Sequence, residues 1–353
     1  MFVLQVTIGT HNGSFHCDET LACSLLKMLP RYREAEIVRT RDPAVLATCD
    51  LVVDVGGEYD PARLRFDHHQ KTFSETISSL DGSKKWTTKL SSAGLVYFHF
   101  GREIISELLE TKSQQLTEKV FDKVYEHFIQ EIDAIDNGIS THDGEGEERG
   151  DDELSEIFLI PVDAGRYSIS TNLSSRVSRL APNWNDAEQD SDVGFYQALD
   201  LTRLEFLERV NYYGRVWWEA RDIVSDSLQA RFTVHQSGRV IELQLQKKGL
   251  PWQEHLFELE AENNLSGDGC SILYVIHNHG GQSDVGLQAV PVRPHSFDSR
   301  LGLPREWRGL RDAQLEEVSG TAGARFVHST GFCGGNKTRE GALEMVEKAL
   351  KCL

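Results

Sequence analysis

Residues 2–8 alternate in the two-residue rhythm of a strand, which Gly9-Thr10 closes. The polar stretch His11-Asn12-Gly13-Ser14-Phe15-His16-Cys17-Asp18 follows. The period then lengthens. Leu21, Leu25 and Leu29 share one face of a helix predicted over 19–29, with Pro30 at its end. Strand, loop and helix open an α/β unit. A short strand is expected at 36–39. Residues 50–57 are a β-branched run, a buried strand with Asp54 at its carboxyl end. A further extended run, 63–66, leads into Asp67-His68-His69.

Residues 91–109 predict a helix capped by Ser91 or Ser92. A second is predicted over 116–136, where Val120, Val124, Phe128, Ile132 and Ile135 recur at helical spacing and Asn137-Gly138 is the stop. Asp133 and Asp136 share a face of its last turn. Carboxylates there oppose the helix dipole, which favours a cation beside at least one of them. Residues 141–156 carry eight acids against Arg149, the composition of a solvated loop. Residues 190–228 form a long amphipathic helical stretch, in which Trp217 and Trp218 read as packing. From 231 the rhythm changes. Strands at 232–235, 240–245, 272–276 and 285–290 alternate with helices near 252–260 and 310–318. A strand at 325–328, a glycine turn at 331–336 and a helix over 337–350 end the chain. The expected division is an α/β domain over 1–185, a helical connector over 186–230 and a smaller α+β domain over 231–353.

Composition narrows the classes. A chain of 353 residues with 39% hydrophobic and 26% charged residues is globular and long enough for two domains. A core of that size needs neither disulfide nor metal to fold. The net charge of −18 argues against a general nucleic-acid coat but not against a local basic groove. The six cysteines include no Cys-x-x-Cys pair, so structural zinc is not expected and a reducing compartment is. No apolar run reaches membrane-spanning length, so no membrane partner is expected. Residues 2–8 do not have the composition of a presequence or signal peptide.

Asp67-His68-His69 is the focus of the candidate chemistry. Asp is almost never fully buried unless paired, so this triplet at a strand end needs water or an ion. His11, Asp54 and His68 all fall at carboxyl ends of strands, where open parallel sheets gather active groups. With His16, Asp18, Asp67, His69, Asp133 and Asp136 they have the composition of a site for two divalent ions. Such a site needs a bridging carboxylate, here Asp54, and several terminal ligands. Mixed imidazole and carboxylate suits manganese, zinc or iron better than magnesium. No Cys or Ser nucleophile is then required. Each residue also has an ordinary reading. His11 could bond a loop carbonyl, His16 and Asp18 could cap a helix, Asp54 could cap a turn, and Asp136 could end a helix. Asp133 and Cys17 are read as structural. That all the others are accidents, in this order at strand and helix ends, is the weaker account.

The motifs His11…His16-Cys17-Asp18, Asp54, Asp67-His68-His69 and Asp136-Asn137-Gly138 resemble those of the DHH phosphoesterase superfamily. Thr10 to Glu19, Val53 to Gly57 and Phe66 to Gln70 more closely resemble the Myg family (melanocyte proliferating gene protein), regarded as 3′–5′ RNA exonucleases. Pro294-His295-Ser296-Phe297, Trp307-Arg308-Gly309-Leu310 and Phe332 to Arg339 extend that likeness nearly end to end. The resemblance implies a parallel-sheet phosphoesterase domain followed by a substrate-binding domain. It implies that His11 and His16 hold one metal, that Asp18, His68 and Asp136 hold the other, and that Asp54 lies between. His69 would touch the phosphate or the leaving oxygen, and Asp67 would orient the histidines. The wider superfamily has Asp-x-Asp in its first motif. Here His16 replaces the first Asp, which makes the first metal position less anionic.

The C-terminal glycine turn resembles that superfamily's substrate-binding domain. Gly334 and Gly335 would admit a phosphate, with Lys337 and Arg339 at a helix start and His295, Ser296 and His328 as further contacts. Between positions 291 and 341 eight Lys or Arg face six acids, a local contrast to the acidic whole. The function expected is a 3′–5′ RNA exonuclease using a two-metal-activated water. Its cofactor is a pair of divalent ions, manganese favoured and magnesium or zinc as alternatives. Its partners are single-stranded RNA or short oligonucleotides. The alternatives are a small-phosphate hydrolase of the pyrophosphatase or oligonucleotide phosphodiesterase type, and a non-catalytic RNA-binding scaffold. The family is associated with mitochondrion and nucleus, and a cytoplasmic location is the alternative.

Overall fold

The computed structural model describes residues 5–140, 169–187, 189–245, 249–265, 267, 269–279 and 284–352, so the acidic stretch 141–156 lies outside the described residues. The chain divides into two units, Met1–Gly214 and Arg215–Leu353. In the first, β1 (Thr7–Thr10), β2 (Glu36–Arg39), β3 (Leu51–Val53), β4 (Tyr59–Asp60) and β5 (Arg65–Phe66) form a sheet in the order β2-β1-β3-β5-β4. β2, β1, β3 and β5 run parallel, and β4 pairs antiparallel with β5. The chain leaves β1 for one neighbour and returns to the other, so winding reverses between β1 and β3. That is the topological switch point, where open sheets bind ligands. Ile8, Leu51, Val53 and Phe66 are buried within the sheet, which is why the β-branched runs form its centre.

Helix α1 (Cys17–Met28) buries Leu21, Leu25 and Leu26. α2 (Ser92–Leu109) packs against it. The helix expected over 116–136 is interrupted. A π-helical segment, Tyr125–Ile129, separates α3 (Gln114–Val124) from α4 (Gln130–Asp136). Such a turn inserts a residue into the register and often marks functional sites. It lies just ahead of Asp133 and Asp136. A second π segment, Tyr212–Trp217, splits the helix expected over 190–228 into α5 (Asp192–Asn211) and α6 (Ala220–Gln229). α5 packs on α1 in the first unit, whereas α6 belongs to the second. The division between the units, Gly214 and Arg215, falls inside the stretch 186–230.

The second unit holds β6 (Val240–Leu245), β7 (Tyr274–His279), β8 (Val285–Ala289), β9 (Ala324–Val327) and β10 (Cys333–Asn336), in the order β6-β7-β8-β10-β9. Only β6 and β7 are parallel. α7 (Gln253–Glu262), α8 (Asp312–Ser319) and α9 (Arg339–Leu350) accompany the sheet. The α/β class expected from the pattern is thus the one observed. Two local expectations fail. The strand expected at 232–235 is a helical turn, Arg231–Val234, because four alternating residues do not distinguish the two periods. The glycine turn expected at 331–336 contains strand β10, paired on both sides. A Cβ at Gly334 would lie 2.8 Å from the Phe326 carbonyl oxygen, and one at Gly335 3.2 Å from that of Val285. The glycines permit close strand approach here.

Candidate metal centre

β1, β3 and β5 are adjacent and parallel, so the residues just past their ends meet. His11 follows β1, Asp54 follows β3, and Asp67-His68 follow β5. His11 Nε2 lies 3.5 Å from Asp54 Oδ2, and His68 Nε2 lies 3.5 Å from Asp54 Oδ1. Asp54 therefore faces an imidazole with each oxygen, as a bridging carboxylate must face two ions. Its backbone is left-handed, with φ of 57°. Asp tolerates that region better than most residues, and such outliers cluster at functional sites.

α1 contributes His16 as its N-cap and Asp18 in its first turn. The last residue of α4, Asp136, places Oδ2 3.0 Å from His68 Nε2, and Asp18 Oδ2 lies 3.8 Å from that nitrogen. Three sets of potential ligand atoms lie within 4.8 Å of one another: His11, His16 and Glu19; Asp54, His68 and His69; Asp18, His68 and Asp136. All six residues expected as metal ligands fall in this cluster. His16 is exposed and Asp136 half-buried, while the other four are buried.

The ion pairs drawn within the cluster run between carboxylates and histidines. Burial alone would push the His11 ring down, but bonding to Asp54 and Glu19 raises it to about 10. Burial opposes His68 too, and Asp136 with Asp54 raises it to about 11. Burial drives the Asp18 carboxyl well up, reinforced by Asp136 and Asp54. Asp54 resists its own burial and is held below the usual carboxylate range by His11 and His68. The raised imidazoles and the lowered Asp54 carboxyl both follow from close approach of opposite charges in a buried cluster. His68 Nδ1 and Nε2 are both buried without a hydrogen bond of acceptable geometry, although Nε2 is 3.0 Å from Asp136. Close approach without donor alignment suits atoms that share a metal ion better than atoms that share a proton. The donor set fits a divalent cation of borderline softness.

Asp67 is buried behind the cluster. Its Oδ1 accepts from the His69 backbone N–H at 3.2 Å and lies 2.7 Å from His69 Nδ1, while Oδ2 accepts from Gly57 N–H. Burial would raise its carboxyl, yet the bonds to His69 hold it low. In return Asp67 is the main cause of a raised His69, whose ring is largely exposed.

Several supports had no separate signal in the sequence. Ser91 was recognisable as a cap, but its target was not. Its N–H and Oγ lie 2.9 and 2.8 Å from Asp133 Oδ1, and its Oγ also approaches Asp18. Asp18 caps α2 by accepting from Ser92 N–H at 2.9 Å and from Ala93 N–H, and Ser92 Oγ donates to Asp54 at 3.3 Å. Asp133 is fully buried against Ser91 and the Tyr125 hydroxyl, and burial pushes it up to about 7. A Cβ at Gly94 would sit 2.2 Å from its Oδ1, so only glycine fits there. Glu19, which ends the first motif but is not among the expected ligands, is buried beside His11.

The expected substrate contacts come from separate places in the second unit. His295 N–H donates to Gln253 at 2.9 Å, and its Nε2 lies 3.2 Å from Glu254. Ser296 Oγ accepts from Asp298 N–H. Phe297 beside them is fully exposed. His328 Nδ1 pairs with Thr330 at 3.0 Å. Gly334 and Gly335 lie in β10, and exposed Lys337 is 4.0 Å from Glu316. Arg339 is held by Glu242 at 2.8–3.1 Å, so its guanidinium is not the open anion contact expected at a helix start. Arg300 is likewise paired with Glu260 and Arg325 with Asp284, which neutralises part of the local basic excess.

Fold and cluster together define an α/β protein that gathers potential divalent-cation ligands at the switch point of a parallel sheet. The MYG1 exonuclease family model, described as "Uncharacterised protein family (UPF0160)", matches residues 7–350, and the chain belongs to that family. MYG1 exonuclease of Rattus norvegicus is 52% identical over 345 residues, 97% of this chain and 84% of the rat protein. A MYG1 protein of Caenorhabditis elegans is 44% identical over 98% of this chain and 95% of its own. One of Saccharomyces cerevisiae is 36% identical, covering 97% and 95%. A solved pGpG-specific phosphodiesterase from Vibrio aligns over 98% of this chain and 97% of its own at 15% identity, with a TM-score of 0.25, too low to support an argument. Among the described residues no helix is long and apolar enough to cross a membrane.

Proposed function

We propose that this chain is a metal-dependent phosphodiesterase that removes nucleoside monophosphates from the 3′ end of single-stranded RNA or short oligonucleotides. One observation carries the reading: His11, Asp18, Asp54, His68 and Asp136, far apart in sequence, approach at distances suited to shared cations. The name exonuclease carried by the rat relative agrees with it. In this reading His11 and His16 hold one ion, Asp18, His68 and Asp136 hold the other, and Asp54 touches both. Manganese suits the donor set, with magnesium or zinc as alternatives. Bound there, such ions would supply Lewis acidity to a phosphate oxygen and make water a competent nucleophile near neutral pH.

The chain's own residues do the rest. Asp67 holds His69 by Nδ1 and raises its pKa, which favours the protonated ring that delivery of a proton to the leaving oxygen needs. Residues 1–185 are the catalytic part and 231–353 the substrate-binding part. In the latter, Lys337 and His328 suit phosphate contacts, and Phe297 offers a stacking face beside His295 and Ser296. The family resemblance supports a mitochondrial and nuclear location, which tagging of the full protein tests.

The deciding assay is a short end-labelled RNA incubated with added manganese, magnesium or zinc. The expected result is stepwise loss from the 3′ end with nucleoside monophosphates as product. Hydrolysis of pyrophosphate without action on RNA would place the chain with small-phosphate hydrolases. RNA binding without turnover would make it a scaffold.

Cation uptake should also release protons. His11 and His68 keep their protons well past neutrality on their own, and a ligand imidazole must surrender its proton to bind a metal. Manganese titrations in buffers of different ionisation heat should show net proton release at pH 7. Apparent affinity should rise between about pH 6 and 9, since both rings stay protonated until about 10–11. A pH-independent affinity with no released protons would mean that these rings are not ligands.

A further inference from the structure

We infer that Glu19 is the third protein ligand of the ion held by His11 and His16, supplying the carboxylate that position 16 lacks. This deepens the metal-dependent reading above and rests on it. Glu19 lies at the third position of α1, where a Glu ordinarily reaches back to the cap residue's N–H as half of a capping box. It does so here, with its oxygens 2.9 and 3.0 Å from His16 N.

Capping alone does not explain its surroundings. Capping carboxylates need no burial, yet Glu19 has no solvent exposure. Its Oε1 also stands 3.2 Å from His11 Nε2, the nitrogen that faces Asp54 at 3.5 Å. Two carboxylates therefore converge on one ring nitrogen, which carries at most one proton. A single cation satisfies all three atoms, and a second proton cannot. The His16 ring stands nearby, its centroid 5.8 Å from that of His11.

Ligand atoms of His11, His16 and Glu19 already lie within 4.8 Å of one another. Tetrahedral bonds of 2.0–2.2 Å separate neighbouring ligand atoms by roughly 3.4 Å, close to the His11–Glu19 distance. Two imidazoles and a Glu are a known set for a catalytic divalent ion with an open position. With Asp54 added, the first position regains the anionic charge lost when histidine stands at 16.

The test separates cap from ligand, because glutamine serves a capping box as glutamate does but brings no charge to a metal. Manganese binding to the full chain is measured by titration and by metal counting, for wild type and for Glu19→Gln. The expected result is two ions on wild type. On the folded variant one ion should bind as before and the other at least tenfold more weakly. Two ions with wild-type affinity on Glu19→Gln would overturn the assignment and leave the parent reading standing. No bound ion on wild type would overturn the parent reading, and this assignment with it. Should Glu19→Gln fail to fold, a crystal of manganese-loaded wild type decides. A Glu19 oxygen bonded to the ion supports the assignment, and both oxygens remaining on the His16 N–H alone would refute it.

Discussion

Asp54→Asn should cut turnover by roughly a thousandfold or more in a chain that still folds. The exchange keeps shape and the capacity for a left-handed backbone, which Asn shares with Asp. It removes the charge that faces His11 on one side and His68 on the other. Loss of an outer partner typically costs 10–100-fold in metal affinity, and a carboxylate shared by both positions should cost more. We expect both ions to weaken together and kcat/KM to fall by roughly 10³-fold or more, about 4 kcal/mol of transition-state stabilisation. Circular dichroism checks the fold, metal counting the occupancy, and a labelled RNA the rate. Weakening of one ion alone would show that Asp54 is a terminal ligand. Undiminished turnover would remove it from the mechanism.

His69→Gln should give the second largest loss, and of a different kind. The ring is largely exposed and its Nδ1 is committed to Asp67 at 2.7 Å, so it is poorly placed to give that atom to a metal. We expect kcat to fall by about 10²–10⁴-fold, the range for a general acid, with metal affinity nearly unchanged. A parallel loss of manganese would make His69 a ligand. The pH profile provides a further check. Asp67 raises His69, so removing the charge with Asp67→Asn should lower the ring's pKa. Because activity in this mechanism needs the protonated ring, the alkaline limb of kcat should move to lower pH. An unmoved limb would mean that another group delivers the proton.

How much of this was legible in the chain depends on what each feature requires. The strand-ending positions of His11, Asp54 and His68 followed from an alternating run, a β-branched run and a short extended run, since period and punctuation are local properties. The α/β class followed in the same way. The π segment ahead of Asp133 was not readable, because an inserted residue leaves the apolar pattern close to a 3.6-residue repeat. Gly334 and Gly335 were misplaced into a turn, because glycine signals close approach and left-handed backbone alike. Arg339 read as an open cation until Glu242, 97 positions away, proved to hold it.

Sequence by itself determined which side chains were available for metal chemistry, and that three of them stand at strand ends. Only tertiary structure decided that β1, β3 and β5 lie side by side, that Asp18 is spent partly on capping α2, and that Glu19 turns toward His11. The reason is physical: propensity and periodicity act over a turn or a strand, whereas a cation cluster depends on distances between segments that only packing sets.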